Sequence, residues 1–126
     1  MLGDNNVCAS IAVKDMDAAK KFYGGTLGLE ATMETPGGTF YKSGGGGIFV
    51  YPSQYAGTNK ATYAAWNVED VKGAVEELKA KDVKFERYPD MPDVTMDGDV
   101  HIMGDLKAAW FTDPDGNILN IVNQVG

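Results

Sequence analysis

Hydrophobic and polar residues alternate along residues 6–13, which predicts a β-strand near the start of the chain. Apolar residues at helical spacing then predict a helix over 16–23, and Asp15 immediately before them is a good N-cap. After this helix, clustered glycines separate short apolar segments, as expected of strands joined by turns. The strands predicted there span 29–35, 39–42 and 48–51.

The second half of the chain repeats this order of elements. Residues 63–67 alternate like a strand, and Asp70 is placed to cap a helix that begins at Val71. Residues 89–106 are rich in aspartate and predict a long loop, which we expect to be a mobile cover. Pro114 and Gly116 are typical of a turn between two strands. The later strands are predicted over 83–88, 107–112 and 117–122.

A Val-x-Asp sequence precedes both predicted helices, at Val13 and again at Val68, 55 residues further on. A repeat near this spacing indicates one supersecondary unit used twice. The sequence therefore predicts an α+β fold in which two strand–helix–three-strand modules form a curved, cup-like mixed β-sheet with helices on its outer face. We expect a single domain in which module 1 covers 1–52, a linker covers 53–60 and module 2 covers 61–126.

Strand alternation also predicts which side chains share a face of the sheet. The face expected to lie under the helices is apolar, and it contains Val7, Ile11, Val13, Phe49, Ala64, Trp66, Leu119 and Ile121. The opposite face is mixed, which suits a pocket lining better than a sealed core. Its predicted members are Cys8, Ser10, Ile48, Val50, Tyr63, Asn67, Ile118 and Asn120.

The charge and composition of the chain limit the kinds of molecule that it is expected to bind and the compartment in which it is expected to occur. The net charge of −7 opposes binding to nucleic acid or to an anionic membrane. It mildly favours a cationic ligand, although ordinary acidic solubility is the simpler explanation of the charge. No apolar run is long enough for a transmembrane helix, and the N-terminus lacks the features of a secretory signal. The single cysteine excludes an internal disulfide. We therefore expect a cytoplasmic protein.

Several motifs together resemble the vicinal oxygen chelate superfamily, which includes glyoxalase I, bleomycin-resistance proteins and extradiol dioxygenases. The resemblance implies paired βαβββ modules that form a cup, and a homodimer for members with one pair of modules. It says little about the reaction, because fold and function separate in such families. The motifs are Val13-Lys14-Asp15-Met16, Phe22-Tyr23, Leu27-Gly28-Leu29, Val68-Glu69-Asp70-Val71 and Phe111-Thr112-Asp113-Pro114-Asp115-Gly116-Asn117.

The resemblance also implies where a metal would be bound. Metal-using members carry His, Gln or Glu at positions that correspond here to Cys8, Tyr63 and Asn120, with a fourth near Val50. These residues depart from the nitrogen and carboxylate donors that such metals prefer. We therefore predict no bound metal and no cofactor.

Three candidate site residues can each be interpreted in two ways. His101, the only histidine, is either a cover and acid–base group for the cup or an exposed loop residue. Trp110 is expected to join the pocket if Phe111 faces the helices, with core packing as the alternative. Cys8 is either a nucleophile or a small buried filler.

The leading functional hypothesis is a metal-independent small-molecule binder that sequesters or carries an unidentified ligand in the cup. The alternative is a lyase, isomerase or dioxygenase, with altered metal ligands or with metal-free acid–base catalysis. Its catalytic residues would then be sought among Tyr63, Cys8 and His101. The predicted pocket residues are Cys8, Ser10, Ile48, Val50, Tyr63, Asn67, His101, Trp110 and Asn120.

Overall fold

A computed structural model describes residues 1–123; the last three residues of predicted module 2 lie outside the described part. A short 3₁₀ helix at Leu2–Asp4 precedes the first strand. Helix α1 (Met16–Ala19) continues as a π-helix (Lys20–Thr26), and helix α2 spans Val71–Lys79. The strands are β1 (Ala9–Val13), β2 (Glu30–Thr35), β3 (Gly38–Ser43), β4 (Gly46–Pro52), β5 (Thr62–Asn67), β6 (Phe85–Glu86), β7 (Thr95–Asp97), β8 (Val100–Met103), β9 (Leu106–Thr112) and β10 (Ile118–Val122).

The strands form two mixed sheets, which confirms the predicted α+β class. The first sheet has the order β1-β4-β3-β2, with β1 parallel to β4 and the other pairs antiparallel. The second has the order β5-β10-β9-β8-β7, with β5 parallel to β10, and β6 also pairs with β9. The two sheets are neighbours along β1 and β5. Each half of the chain thus builds the same strand–helix–strand arrangement, and the two sheets form the cup.

Both helices begin where the sequence predicts. The Asp15 carboxylate accepts hydrogen bonds from the amides of Asp17 and Ala18, and the Asp70 carboxylate accepts one from Gly73. Such caps satisfy amide groups that have no partner inside the helix. The described residues contain no helix that is both long enough and apolar enough to cross a bilayer.

The prediction of a long irregular loop over 89–106 is wrong in its second half. Strands β7 and β8 form a hairpin whose turn contains Gly98, with a φ of 60°. Val100 and Ile102 pack toward the hydrophobic core, while His101 between them pairs with Ala108 of β9. Only short alternation marks this hairpin in the sequence, and its many aspartates obscure that alternation. One of them, Asp99, is only 7% exposed.

Lys79 and Arg87 account for the burial of Asp99. The Lys79 ammonium donates to one carboxylate oxygen at 2.8 Å, and the Arg87 guanidinium donates to the other at 2.9 Å. These hydrogen bonds, that from Lys79 foremost, hold the pKa of Asp99 below its usual value against the opposing effect of burial. The hairpin is therefore attached by charge-assisted bonds to the end of α2 and to the segment after β6.

One hydrophobic core joins both halves. It includes Ile11 and Val50 from the first sheet, Leu119 and Phe111 from the second, and Phe22 from the π-helix. The Phe22 and Phe111 rings lie 6.4 Å apart, so the helix of the first half packs against the second sheet. Burying a large apolar side chain stabilises the fold by about 1.5–3 kcal/mol, so this shared core holds the two halves together.

Hydrogen bonds at the Asp-Pro-Asp-Gly-Asn turn reinforce that junction. The Tyr23 hydroxyl donates to the Asp113 carboxylate at 2.7 Å, and the Asn117 side-chain amide donates to the Ala12 carbonyl at 2.7 Å. Burial and the nearby Asp113 charge raise the pKa of Tyr23 well above its usual value, so Tyr23 stays a hydroxyl donor. These contacts join the turn to the first module of the same chain.

Candidate functional site

Each sheet has one face under the helices and one helix-free face. On the helix-free face of the second sheet, strand register places Asn120 of β10 opposite Trp110 of β9. The Trp110 indole NH donates to the Thr62 hydroxyl of β5 at 3.1 Å. Three strands thus contribute neighbouring polar or aromatic groups, and these include the predicted site residues Trp110 and Asn120.

An aromatic cluster formed by Tyr88, His101 and Trp110 extends this face. The His101 and Trp110 rings meet edge to face with centroids 4.8 Å apart, and Tyr88 meets Trp110 edge to face at 5.4 Å. Edge-to-face contacts of this kind are the favoured geometry of aromatic pairs. The cluster fixes the orientation of Trp110, which is itself half-buried and can present surface to a ligand.

His101 is fully buried in β8, so the interpretation as an exposed loop histidine is wrong. The backbone NH of Tyr88 donates to His101 Nε2 at 2.8 Å, so the neutral ring carries its proton on Nδ1. Nδ1 is buried and has no hydrogen-bond partner. A ligand on this face would meet Trp110 and Thr62 first, and it would reach His101 only if the segment around Tyr88 moved.

Burial also changes the chemistry of Tyr88. Desolvation, with a smaller contribution from the charge of Glu86, raises the pKa of Tyr88 above its usual value. The phenol is therefore neutral at physiological pH.

The helix-free face of the first sheet is aromatic instead. Register places Ser10, Phe40 and Phe49 across β1, β3 and β4 on this face, and Tyr51 lies further along β4. The Phe49 and Tyr51 rings are nearly parallel, with centroids 6.2 Å apart. Ser10 is exposed beside them, as a pocket residue would be. The first sheet thus supplies a largely apolar wall of the cup.

A cavity of about 550 Å³ lies where the two sheets meet, at the start of β1 and the end of β5. Cys8 and Asn67, both predicted pocket residues, line it together. Cys8 is exposed, so the alternative of a buried filler is wrong. Glycines 44, 46 and 47 form part of the wall, so backbone and not side chain borders the cavity there.

The structure does not support the predicted faces of β4 and of Tyr63. Ile48 and Val50 are in the hydrophobic core, because Ile11 pairs with Val50 in the parallel β1–β4 ladder, and Ile48 reaches the junction cavity only at its border. Phe49, predicted to lie under the helices, therefore lies on the helix-free face. The β5–β10 register shifts at Tyr63, and its half-buried side chain packs against the core.

Tyr88, Thr62 and the aromatic residues of the first sheet were not among the predicted site residues. A signal for Phe40 and Phe49 existed, because both lie in short strands flanked by glycines. Strand β4 is apolar on both faces, however, so alternation alone could not select the correct phase. For Tyr88 the sequence offered no comparable signal.

The residues at the positions that correspond to metal ligands lie in different surroundings. Cys8 is exposed at the junction, Tyr63 packs against the core, and the Asn120 amide donates to the Ala109 carbonyl at 3.2 Å. Across residues 1–123, no group of three or more His, Cys, Asp or Glu side chains is arranged to hold a metal ion. The donor set present therefore does not fit the metal that the resemblance implies for catalytic members.

Comparison with solved structures identifies proteins of the same fold. A glyoxalase family protein from Enterococcus faecalis is 20% identical, with 98% of this chain and 100% of that chain covered and a TM-score of 0.73. The fosfomycin resistance protein FosX from Listeria monocytogenes is 14% identical, with 96% and 93% covered and a TM-score of 0.72. A bleomycin resistance determinant encoded on the transposon Tn5 is 16% identical, with 95% and 98% covered and a TM-score of 0.71. At these identities, the likeness shows the fold alone.

Comparison with curated proteins gave no significant match. The family described as the Glyoxalase/Bleomycin resistance protein/Dioxygenase superfamily matches residues 6–121. That match covers both sheets and both helices of the structure. This chain therefore belongs to the glyoxalase/bleomycin resistance protein/dioxygenase superfamily.

Proposed function

We propose that this protein binds a small aromatic cation in the cup without a metal, and that it sequesters or carries that molecule. The observation that carries the proposal is the group formed by Trp110, Thr62 and Asn120 on the helix-free face of the second sheet, together with the aromatic side chains on the helix-free face of the first sheet. A pocket of mostly apolar surface with a few placed polar groups is typical of small-molecule sites.

Charge and aromatic content support a cationic ligand. The chain has 18 acidic and 11 basic residues, so its overall field attracts cations. Aromatic faces attract cations further through their quadrupoles, by about 0.5–1 kcal/mol at exposed sites and more where water is excluded. A flat cation would therefore gain from stacking and from charge together.

The residues at the positions that correspond to metal ligands support binding without a metal. The Tyr63 side chain packs against the hydrophobic core. Asn120 offers only a neutral amide, which already donates to a backbone carbonyl. Neither group supplies the imidazole or carboxylate that catalytic metals of this kind need. Binding would then depend on stacking and hydrogen bonds.

Metal-free bleomycin is the first probe, because the bleomycin resistance determinant on Tn5 shares the fold. A panel of small aromatic cations extends the search. Calorimetric titration of the wild type should give saturable binding to one or more members of this set. Trp110→Phe should weaken that binding about 3- to 10-fold, since it removes the indole donor and part of the stacking surface.

Trp66→Phe is the matched control, because Trp66 lies under the helices and contacts Phe111 at a centroid distance of 6.2 Å. It also loses a hydrogen bond, from its indole NH to the Ser43 hydroxyl. We expect a lower melting temperature with little change in affinity. Trp66 also borders the junction cavity, so weaker binding in Trp66→Phe than in Trp110→Phe would mean that the ligand lies there or under the helices, and not at Trp110.

A metal-free enzyme is the second candidate function, and the buried, unpartnered Nδ1 of His101 is the observation that favours it. Proton exchange at this atom would make turnover depend on pH. Fosfomycin is a suitable probe, because the fosfomycin resistance protein shares the fold. Its consumption, followed by phosphorus NMR, should not exceed the background rate if the protein only binds ligands. Turnover that is lost in His101→Gln would favour the enzyme.

We also propose a cytoplasmic homodimer. Every residue of edge strand β2 is exposed, and Met33 on that strand is 61% exposed. Unprotected edge strands and apolar surface are commonly covered by a second chain. Light scattering should therefore give twice the 13.5 kDa mass of one chain, and a mass of one chain would contradict the dimer.

A further inference from the structure

A second cavity, of about 600 Å³, lies on the helix side of the molecule, away from the cup. Its walls come from the π-helix, from the connection between α2 and β6, and from the end of β9 with the following turn. None of the residues predicted for the cup borders it. Its chemistry is therefore separate from that of the proposed binding function.

Three lysines line this cavity: Lys21, Lys81 and Lys84. The whole chain has 11 basic residues and a net charge of −7, so three ammonium groups around one cavity form a local reversal of charge. Within residues 1–123, none of the three is within salt-bridge distance of a carboxylate. The Lys81 ammonium donates to the Thr26 carbonyl at 3.3 Å, and its remaining donors are available.

Two carboxylates also border the cavity, and they differ in availability. Asp113 accepts hydrogen bonds at both oxygens, including those from the Tyr23 hydroxyl and the Asn117 side-chain amide. Asp82 is exposed, and its φ of 63° follows from its place just after α2. Both carboxylates oppose an anion, but only Asp82 is exposed and can lose its charge without breaking the hydrogen bonds that Asp113 accepts.

The floor of the cavity is apolar. Phe22 and Val83 lie there, 9% and 8% exposed respectively. The hydroxyl-bearing residues Thr26 and Thr112 stand at the walls. An apolar floor beneath several cationic donors suits a molecule that has both an anionic head and an apolar body.

The π-helix gives an independent reason to expect a ligand here. It spans Lys20–Thr26, and its wider turn is visible in the hydrogen bond from the Leu27 amide to the Phe22 carbonyl at 2.8 Å. Such segments are rare and occur frequently at functional sites. This segment brings Lys21, Phe22 and Thr26 to one cavity.

We propose that this cavity binds an oxyanion attached to an aromatic or aliphatic group, with a phosphate monoester as the chemical class that fits best. A phosphate offers several acceptor oxygens to the ammonium and hydroxyl donors, while its organic group lies on Phe22 and Val83. The site operates independently of the cup, so both molecules can be bound at once.

Phenyl phosphate is the probe, with inorganic phosphate and phenol as the two halves of its structure. Titration at low ionic strength, followed by amide NMR shifts, should show saturable changes at Thr26, Lys84 and Thr112. Phenyl phosphate should bind more tightly than either half alone. Added salt should weaken the binding, because exposed charges are screened. Absence of saturable binding by phenyl phosphate would overturn the proposal.

Lys21→Gln/Lys84→Gln should weaken phenyl phosphate binding about tenfold, as two charge-assisted contacts are lost. Lys60→Gln/Lys107→Gln is the matched control, because both lysines are exposed, lie outside this cavity and change the net charge equally. The control should retain most of the affinity. An equal loss in both double variants would show only a general effect of charge and would contradict a specific site.

Asp82→Asn provides a test in the opposite direction. Asparagine tolerates the left-handed backbone, so the fold should persist while the opposing charge is removed. Phenyl phosphate should bind about threefold more tightly. Asp93→Asn is the control, since Asp93 has a similar φ of 58° and lies elsewhere. Unchanged affinity in Asp82→Asn, or an equal gain in Asp93→Asn, would count against the site.

Discussion

The two sheets share a core, and in each the first strand runs parallel to the last strand of its half, yet their helix-free faces differ in chemistry. The first sheet presents Phe40, Phe49 and Tyr51, packed across glycines. The second presents Trp110 with hydrogen-bonded partners, and it carries the additional β7–β8 hairpin that holds His101. One repeated unit thus presents an apolar wall in one half and hydrogen-bonded polar groups in the other.

This contrast shows how two copies of a repeat can differ in surface chemistry without a change of fold. The helix-facing residues in both halves are constrained by the shared core, so the scope for change lies on the other face. In the second half, the difference in surface includes an additional element, the β7–β8 hairpin. This hairpin is attached through Asp99, which Lys79 and Arg87 bind. Each part of this comparison can be tested by substitution.

Replacing Gly47 by alanine should have the largest effect, and it tests the apolar wall of the first sheet. A Cβ at this position would lie 2.5 Å from both the Phe40 ring and the Tyr41 carbonyl oxygen. We expect a loss of about 1–3 kcal/mol in the free energy of unfolding, as for other overpacked sites.

Gly46→Ala is the control on the same strand, because its nearest neighbour would be the Ser43 carbonyl oxygen at 3.9 Å. Urea unfolding of both variants makes the comparison. Equal stability of the two would show that the aromatic wall is not closely packed over Gly47.

Asp99→Asn tests the attachment of the hairpin in the second sheet. The folded pKa of Asp99 is lowered, so its stabilising contribution is present above the ordinary value near 4 and is lost as the pH falls below it. At neutral pH the substitution should cost about 1–3 kcal/mol, because it weakens two charge-assisted bonds. The stability difference from wild type should shrink as the pH falls below about 4. A difference that stays constant across this range would contradict the role assigned to the carboxylate.

Asn120→Ala tests the polar character of the second sheet directly. Asn120 is 7% exposed and its amide donates to the Ala109 carbonyl, so its carboxamide oxygen is the group left to accept from a ligand. With an aromatic cation found by the screen, binding should weaken about 3- to 10-fold, because this neutral hydrogen-bond partner is removed. Ser10→Ala provides a control on the first sheet, where the side chain is exposed and the wall is apolar. Calorimetric titration would refute the asymmetry if Ser10→Ala weakened binding more than Asn120→Ala.

Tyr88→Phe should have the smallest effect. The folded pKa of Tyr88 is raised, so its contribution is present below the ordinary value near 10 and is lost as the pH rises beyond it. Melting temperatures of the wild type should therefore fall above pH 10, and those of Tyr88→Phe should fall slightly less. Tyr55→Phe is a suitable control, because Tyr55 is 67% exposed. The same alkaline profile in wild type and Tyr88→Phe would argue against the burial of this phenol.

Much of the fold was predictable because its signals are local. Asp15 and Asp70 cap their helices as expected, and the turn at Pro114 joins β9 to β10. The phase of β4 was not predictable, since Ile48 and Phe49 are both apolar and only pairing with β1 selects the inner one. The shift at Tyr63 likewise depends on the partner strand.

The candidate site was predictable only in part, for the same reason. Trp110 and Asn120 belong to strands with clear boundaries, and the structure places them opposite each other. His101 was misplaced because a short hairpin in an Asp-rich segment has little alternation to detect. The rings of Tyr88 and Trp110 cover it, and these residues are distant in sequence but close in space.

The central claim is that the cup binds its ligand without a metal, and calorimetry of metal-stripped protein tests it most directly. The protein would be treated with EDTA, and its metal content would be verified by elemental analysis before titration with metal-free bleomycin or the strongest aromatic cation. We predict the same affinity before and after stripping. Binding that disappears on stripping and returns with one equivalent of a divalent transition metal would contradict the account.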